Sequence, residues 1–274
     1  MNNSNNKNNK YTGKVVWVTG ASSGIGKEIA THLDRIGARL LLSARNQAAL
    51  SRWVESSTHP QNHRVIAFDL LDIASFPSVV ESAYTAFGQI DVLINNGGIS
   101  QRSLALETQL EVDRKVMEVD YFAPVALTKA VVPLMKNLGR GEIINIASVA
   151  GKIGSPMRSA YAGAKHALIG FMDCLRAEIE QDNVRVINIC PGFVKTNISY
   201  NALTGDMNQY DQLDDEIASG MPVEEFVRIL LNKLSSNQSE IIIARGKPKL
   251  GYHLRRLLPN FYHRLLPKIY QRRA

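Results

Sequence analysis

The sequence predicts an α/β protein: one doubly wound parallel sheet of seven strands with helices on both faces, in a single domain that ends in a basic C-terminal tail. Three observations carry this expectation. Short β-branched apolar runs alternate with longer helix-period segments along most of the 274 residues. Several of those runs are almost continuously apolar, as strands are when helices cover both faces of their sheet. A glycine-rich turn follows the first run directly, where a doubly wound sheet places its ligand.

The expected strands are Val15–Thr19, Leu40–Ser43, Val65–Asp69, Val92–Asn95, Ile143–Ala147, Val184–Ile189 and Glu240–Ala244. Helical periodicity falls between them, near Ile25–Ile36, Gln47–Ser56, Phe76–Phe87, Leu110–Leu138 and Pro156–Glu180. Strand–helix alternation of this kind implies right-handed crossovers, and no Pro/Gly/Ser linker divides the body. The sequence therefore divides into a polar, disordered Asn-rich lead-in over 1–11, one domain over 12–245 and a tail over 246–274. The last two helices are longer than one sheet face requires. Their outer faces are expected to pack on a second subunit, giving a homodimer or homotetramer.

The turn after the first strand reads Gly20-Ala21-Ser22-Ser23-Gly24-Ile25-Gly26 and runs into a helix. Glycine permits positive φ and brings bare backbone close to a ligand. The helix start aims free N–H groups and a partial positive charge at the same place, which suits a pyrophosphate. At the tip of the second strand, Leu42-Ser43-Ala44-Arg45-Asn46 has no acid to hold a ribose 2′-hydroxyl. Arg45 is a cation for a 2′-phosphate and Ser43 is small enough to admit one, so NADP(H) is expected ahead of NAD(H).

Further along, Tyr161 and Lys165 lie one helical turn apart, and Ser148 lies thirteen residues upstream of Tyr161 at a strand end. With TGASSGIG, Asp69-Leu70, Asn95-Asn96-Gly97-Gly98 and Pro191-Gly192, these occur in an order and spacing that resembles the short-chain dehydrogenase/reductases over residues 12–245. The stretches YFAPVALTKA, RSAYAGAKHA and DCLRAEIEQ resemble the member-7 branch of that family, itself similar to the 11β-hydroxysteroid dehydrogenase type.

The residues themselves suggest a proton relay for hydride chemistry. A developing alkoxide needs a proton, and a phenol, ordinarily titrating near 10, gives one up more readily beside a cation. Lys165, on the same helical face as Tyr161, supplies that cation, making Tyr161 the general acid–base. Ser148 is expected to hold the substrate carbonyl by a hydrogen bond.

The resemblance implies further roles. Lys165 also reaches the nicotinamide ribose, Asp69 and Leu70 meet the adenine, and Asn95 braces the fourth strand. Asn96 and Gly97 border the cofactor, with Gly97 where the family usually has Ala. Pro191, Gly192, Val194 and Thr196 shape the nicotinamide pocket, Thr196 on the carboxamide. Asp120 stands where the family commonly has Asn, bracing a helix kink beside the Lys. Asp lacks the amide donor. Either its backbone carbonyl preserves the relay, or its charge beside the phenol slows turnover.

Residues 197–221 are expected to form a mobile lid over the substrate, with Tyr200, Leu203, Met207 and Tyr210 suiting an apolar ligand. Asp214, Asp215 and Glu216 read as its solvated side. In the tail, Leu250, Leu254, Leu257, Leu258, Phe261, Leu265, Leu266 and Ile269 recur at helical spacing among arginines, and Pro259 and Pro267 are expected to break it into short pieces. Such a basic amphipathic tail either lies at a membrane surface or docks on the body.

Charge separates the tail from the body. Nine of the 32 Lys and Arg follow Glu240, where no acid occurs; the other 23 face all 25 Asp and Glu. A slightly acidic body argues against nucleic-acid binding. No run of 18 apolar residues offers a membrane span, and the N-terminus lacks an apolar signal core. Cys174 and Cys190 make neither a metal spacing nor a disulfide framework. A reduced, cytoplasmic, metal-free protein is expected, with peripheral membrane contact through the tail as the variant. The whole reads as an NADP-dependent carbonyl reductase or secondary-alcohol dehydrogenase for a hydrophobic substrate. The alternative is a catalytically weak NADP sensor or scaffold.

Overall fold

The structure, a computed structural model, describes residues 8–271. Seven parallel strands form one sheet: β1 (Val15–Thr19), β2 (Arg39–Ser43), β3 (His63–Val65), β4 (Val92–Asn95), β5 (Gly141–Ile146), β6 (Val184–Pro191) and β7 (Glu240–Ile243), in the order β3-β2-β1-β4-β5-β6-β7. The crossovers run through α1 (Gly24–Arg35), α2 (Gln47–Glu55), α3 (Phe76–Phe87), α4 (Leu110–Met117), α5 (Ala123–Leu138) and α6 (Ser159–Glu178). Beyond β6 come α7 (Asp215–Ala218), α8 (Val223–Leu234), α9 (Gly246–Leu257) and α10 (Pro259–Gln271).

Strand periodicity sorts the core into two layers. In β1, Val16 and Val18 face Ile29 and Leu33 of α1 and Phe226 and Leu230 of α8. Val15 and Trp17 face the other layer, with Val80 of α3, Leu127 and Val131 of α5, and Leu168 and Met172 of α6. Burying one such aliphatic or aromatic side chain is worth roughly 1.5–3 kcal/mol, so both layers contribute to holding the sheet between its helices. β1 pairs with β2 on one side and β4 on the other. The winding direction reverses there, which opens a crevice at the carboxyl ends of the strands.

Several boundaries differ from expectation. β3 ends at Val65 rather than running from Val65 to Asp69, because it is an edge strand whose neighbour β2 stops at Ser43. The Ile66 N–H still donates to Leu42 O, and the chain then leaves the ladder. The long helix expected over Leu110–Leu138 is divided by a π-helical turn, Glu118–Phe122. Pro124, in the first turn of α5, withholds the N–H that a regular helix would direct to the Asp120 carbonyl. The helix expected from Pro156 starts at Ser159. α8 adds a helix to those expected, with Phe226, Val227, Leu230, Leu231 and Leu234 as its buried stripe. In the tail Pro259 does begin a new helix, but Pro267 lies inside α10. Residues 8–11 of the expected disordered lead-in form a 3-10 turn, with Tyr11 buried and bonded to Glu142. Residues 1–7 of that lead-in lie outside the described residues.

The tail folds back on the body. Tyr252 packs on Ala147, Val149 and Cys190, and its hydroxyl donates to Glu240 at 3.3 Å. The buried Tyr262 donates to Gly154 O at 3.0 Å. The other side of α9 and α10 leaves Leu257, Leu258 and Phe261 exposed.

Candidate active site

A cavity of about 1620 Å³ lies at the carboxyl ends of the strands, running from the glycine turn to the tail helices. At one end Gly20 and Gly24 have φ of +65° and +53°. A Cβ on Gly20 would stand 2.7 Å from Gly97 Cα, so only glycine fits between the two loops. Asn96 ties those loops together, donating from Nδ2 to Thr19 O at 2.9 Å and Gly20 O at 3.2 Å. The first N–H groups of α1 have no acceptor within the helix and open toward Ser22, Ser23 and Ile25 at the cavity wall. Across the gap, a Cβ on Gly24 would lie 3.5 Å from Thr196 Cγ2, an ordinary contact, so it is the positive φ rather than space that calls for glycine there. The cradle fits a pyrophosphate flanked by two nucleosides.

Gly26 does not face the cavity. A Cβ there would lie 2.4 Å from both Asn96 Nδ2 and Gly20 O, so it sets the approach of α1 to the turn rather than touching a ligand. Arg45 is exposed at the rim and has no ion pair among the described residues. Ser43 is used inside the core, accepting from Trp17 Nε1 at 2.8 Å. Asp69 and Leu70 border the same end, Asp69 turning its Oδ1 to the Leu71 N–H. A Cβ on Gly97 would meet Leu70 Cδ1 at 2.7 Å, a side-chain tip that can swing away.

In the middle of the cavity α6 presents Tyr161 and Lys165, both largely buried. Lys165 Nζ lies 5.6 Å from the Tyr161 ring centre. It also stands 3.0 Å from Asp120 Oδ2 and 3.4 Å from Ile146 O. Asp120 is completely buried; its Oδ1 accepts from the Ile99 N–H at 2.8 Å. Gly98 leaves room for that carboxylate, since a Cβ would come within 3.1 Å of Oδ1. Burial works against the Lys165 ammonium, but Asp120 and Tyr161 more than offset it and hold its pKa above the ordinary lysine value. Burial raises the Asp120 carboxyl, with Lys165 and the Ile99 N–H countering in part. The π-helical turn aims Asp120 inward, so the side chain itself engages Lys165, an outcome that neither sequence expectation included. Ser148 borders the cavity at the end of β5, its Oγ accepting from Ala150 N at 3.0 Å.

The Asn95 amide donates to Thr128 Oγ1 and Asn145 Oδ1, and Asn145 donates in turn to Asn188. This buried ladder joins β4, β5 and β6 beneath the site. Pro191, Gly192, Val194 and Thr196 lie on the wall beyond β6.

Residues 14–206 match the family described as short chain dehydrogenase. Dehydrogenase/reductase SDR family member 7B from Mus musculus is 41% identical over 92% of this chain and 80% of its own. The chain belongs to the short-chain dehydrogenase family. It is an NAD(P)-dependent oxidoreductase of that family. Two solved members illustrate the shared fold. One, from Burkholderia cenocepacia J2315 in complex with NADP, is 24% identical, covers 93% of this chain and 98% of its own, and has a TM-score of 0.78. The other, from Burkholderia phymatum in complex with NAD, is 22% identical, covers 85% and 89%, and has a TM-score of 0.75.

In this short-chain dehydrogenase the substrate end departs from the sequence reading. Leu203 and Tyr210 line the cavity as expected, whereas Met207 packs into the apolar cluster of Val112, Val116 and Tyr161 without lining it, and Tyr200 points outward. Asp214 is not on a solvated side: its side chain is 11% exposed and lies between Arg102 and Arg158. Leu250, Leu254, Leu265 and Leu266 of the tail complete the wall. Neither arginine was singled out from the sequence, where each is one cation in a polar loop. The sole signal was Arg158, three residues before Tyr161.

Proposed function

We propose that this protein is an NADP(H)-dependent carbonyl reductase, or in reverse a secondary-alcohol dehydrogenase, acting on a substrate with a hydrophobic body. The observation that carries the reading is the buried Tyr161–Lys165–Asp120 chain facing the same cavity as Ser148 and the glycine cradle. The bound dinucleotide supplies the hydride donor or acceptor. Ser148 and Tyr161 hold the substrate oxygen, Tyr161 giving it a proton in reduction and taking one in oxidation. Lys165 favours the phenolate by its charge, and Asp120 fixes where that charge stands. Arg45, exposed and unpaired at the ribose end with no acid beside it, supports NADP(H) over NAD(H). The test is NADPH consumption against a panel of apolar ketones and aldehydes, with Tyr161→Phe as control. Turnover surviving in that variant would remove Tyr161 as proton donor.

The weak-turnover alternative, an NADP holder or scaffold, is favoured by one observation: Asp120 offsets the charge that Lys165 offers the phenol. The same assay separates the two readings. For the tail, we propose peripheral contact with an anionic membrane from the cytoplasmic side. Leu257, Leu258 and Phe261 are exposed beside Arg255 and Arg256, while the opposite side docks on the body. Sedimentation with anionic liposomes, with and without Leu257→Ser and Phe261→Ser, tests this; equal sedimentation would remove the membrane role. Homo-oligomerisation through the outer faces of α5 and α6 is proposed on the same footing and is checked by light scattering.

A further inference from the structure

Two arginines at the substrate end share a single carboxylate. Arg158, immediately before α6, donates from Nη2 to Asp214 Oδ2 at 2.8 Å, and Arg102, on the loop after β4, pairs with Asp214 Oδ1. The three side chains are 13%, 13% and 11% exposed. The Nε of each arginine is buried and bonded to nothing among the described residues. Burial, then the neighbouring Arg102, press Arg158 below the usual arginine range, with Asp214 and Tyr161 pulling the other way. A guanidinium is a fixed cation with five N–H donors and no acceptor. Two cations share this one carboxylate and are largely buried with it, an arrangement that a further anion would stabilise.

The location is informative. Both arginines border the cavity that holds Ser148 and Tyr161, and Arg158 lies over the Phe193 ring at 5.7 Å. Asp215 and Glu216 border the same cavity and are matched in number by Lys115 and Lys247. The arginines come from the body and Asp214 from the lid, so an anion captured here would also be held under the lid. Guanidinium forks match carboxylate and phosphate oxygens.

We propose that Arg102 and Arg158 recognise an oxyanion, a carboxylate or a phosphate, that the substrate carries apart from its reacting carbonyl. This names a substrate class within the oxidoreductase reading and rests on that reading only for the reacting end. The substrate is then an anionic amphiphile: its charge lies at the arginines, its carbonyl at Tyr161, and its apolar part along Leu254, Leu265 and Leu266.

Isothermal titration of the NADP-loaded protein with octanoate, octyl phosphate and octan-1-ol tests the site without turnover. At least one anion should bind at least about tenfold more tightly than the alcohol, the scale of one charge-assisted contact, and Arg102→Met and Arg158→Met should each abolish that preference. The stronger of the two anions identifies the headgroup. In turnover, kcat/KM for 4-oxononanoate should exceed that for its methyl ester by a similar factor, and the ratio should fall toward one in either variant. Equal binding of anions and alcohol by the wild-type protein overturns the proposal, even if both variants fail to fold. So does an unchanged preference in folded variants. If no ketone is reduced, the oxidoreductase reading fails by itself while the titration still decides the anion site.

Discussion

Replacing Asp120 with Asn removes a buried negative charge while keeping the side chain's size. The Asn carbonyl can still accept from the Ile99 N–H, so the change is confined to the side facing Lys165. Lys165 Nζ lies 5.6 Å from the Tyr161 ring centre and 3.0 Å from Asp120 Oδ2. The carboxylate is therefore no farther from the ring than the sum of those two distances. At an effective dielectric of about 20, a unit charge at that limit acts on a phenolate with roughly 2 kcal/mol. One pH unit corresponds to about 1.4 kcal/mol, and cofactor and water screen part of the effect, so a shift of about one unit is expected. The sign follows from which form reacts. Alcohol oxidation uses the phenolate, so losing the carboxylate moves the rising limb of the kcat/KM profile to lower pH. Ketone reduction uses the phenol, so its falling limb moves to lower pH as well. Initial rates in both directions from pH 5 to pH 10 measure this. A profile that stays put, or moves to higher pH, would refute the view that the Asp120 charge acts on the Tyr161 phenol.

Three other predictions follow from particular contacts. Asp34, at the end of α1, accepts from the Thr58 and His59 N–H groups and contacts His63; despite the opposing effect of burial, these hold its pKa down at about 2. A lowered carboxyl pKa contributes stability that is present above about pH 4 and lost as pH falls through about 2, here on the order of 2 kcal/mol. Urea unfolding should show Asp34→Asn destabilised at pH 6 and converging with wild type near pH 2; a constant gap would rule this out. Gly26→Ala drives a methyl into Gly20 O and Asn96, so NADP affinity should fall by about tenfold or more with a lowered Tm; unchanged values in both would show that α1 has room to retreat. Arg45→Asp should reverse the preference between NADP and NAD by about two orders of magnitude in kcat/KM; equal use of both cofactors before and after would remove Arg45 from the site.

Most of the fold could be read in the chain because its signals are local. The near-unbroken apolar runs at β1 and β4 state that both sheet faces are covered, and the glycine spacing after β1 states where backbone must turn with positive φ. Tyr161 and Lys165 are legible for the same reason, since a four-residue spacing on a helix is itself a geometry. Ser148 needed only its place at a strand end. Where elements depend on a neighbour, the reading failed. β3 is short because β2 stops, and no residue of β3 records that.

What the sequence alone determined was therefore the parallel sheet, the glycine turn after β1 and the placing of Tyr161 and Lys165 on one helical face, each specified by residues close together in the chain. Tertiary structure decided which charges meet. Asp120 reaches Lys165 because a π-helical turn rotates it inward, and Asp214 is only 11% exposed because Arg102 and Arg158 converge on it from 112 and 56 positions away. Electrostatic partnership depends on distance and on exclusion of water, and neither quantity is carried by a charged residue's place in a sequence.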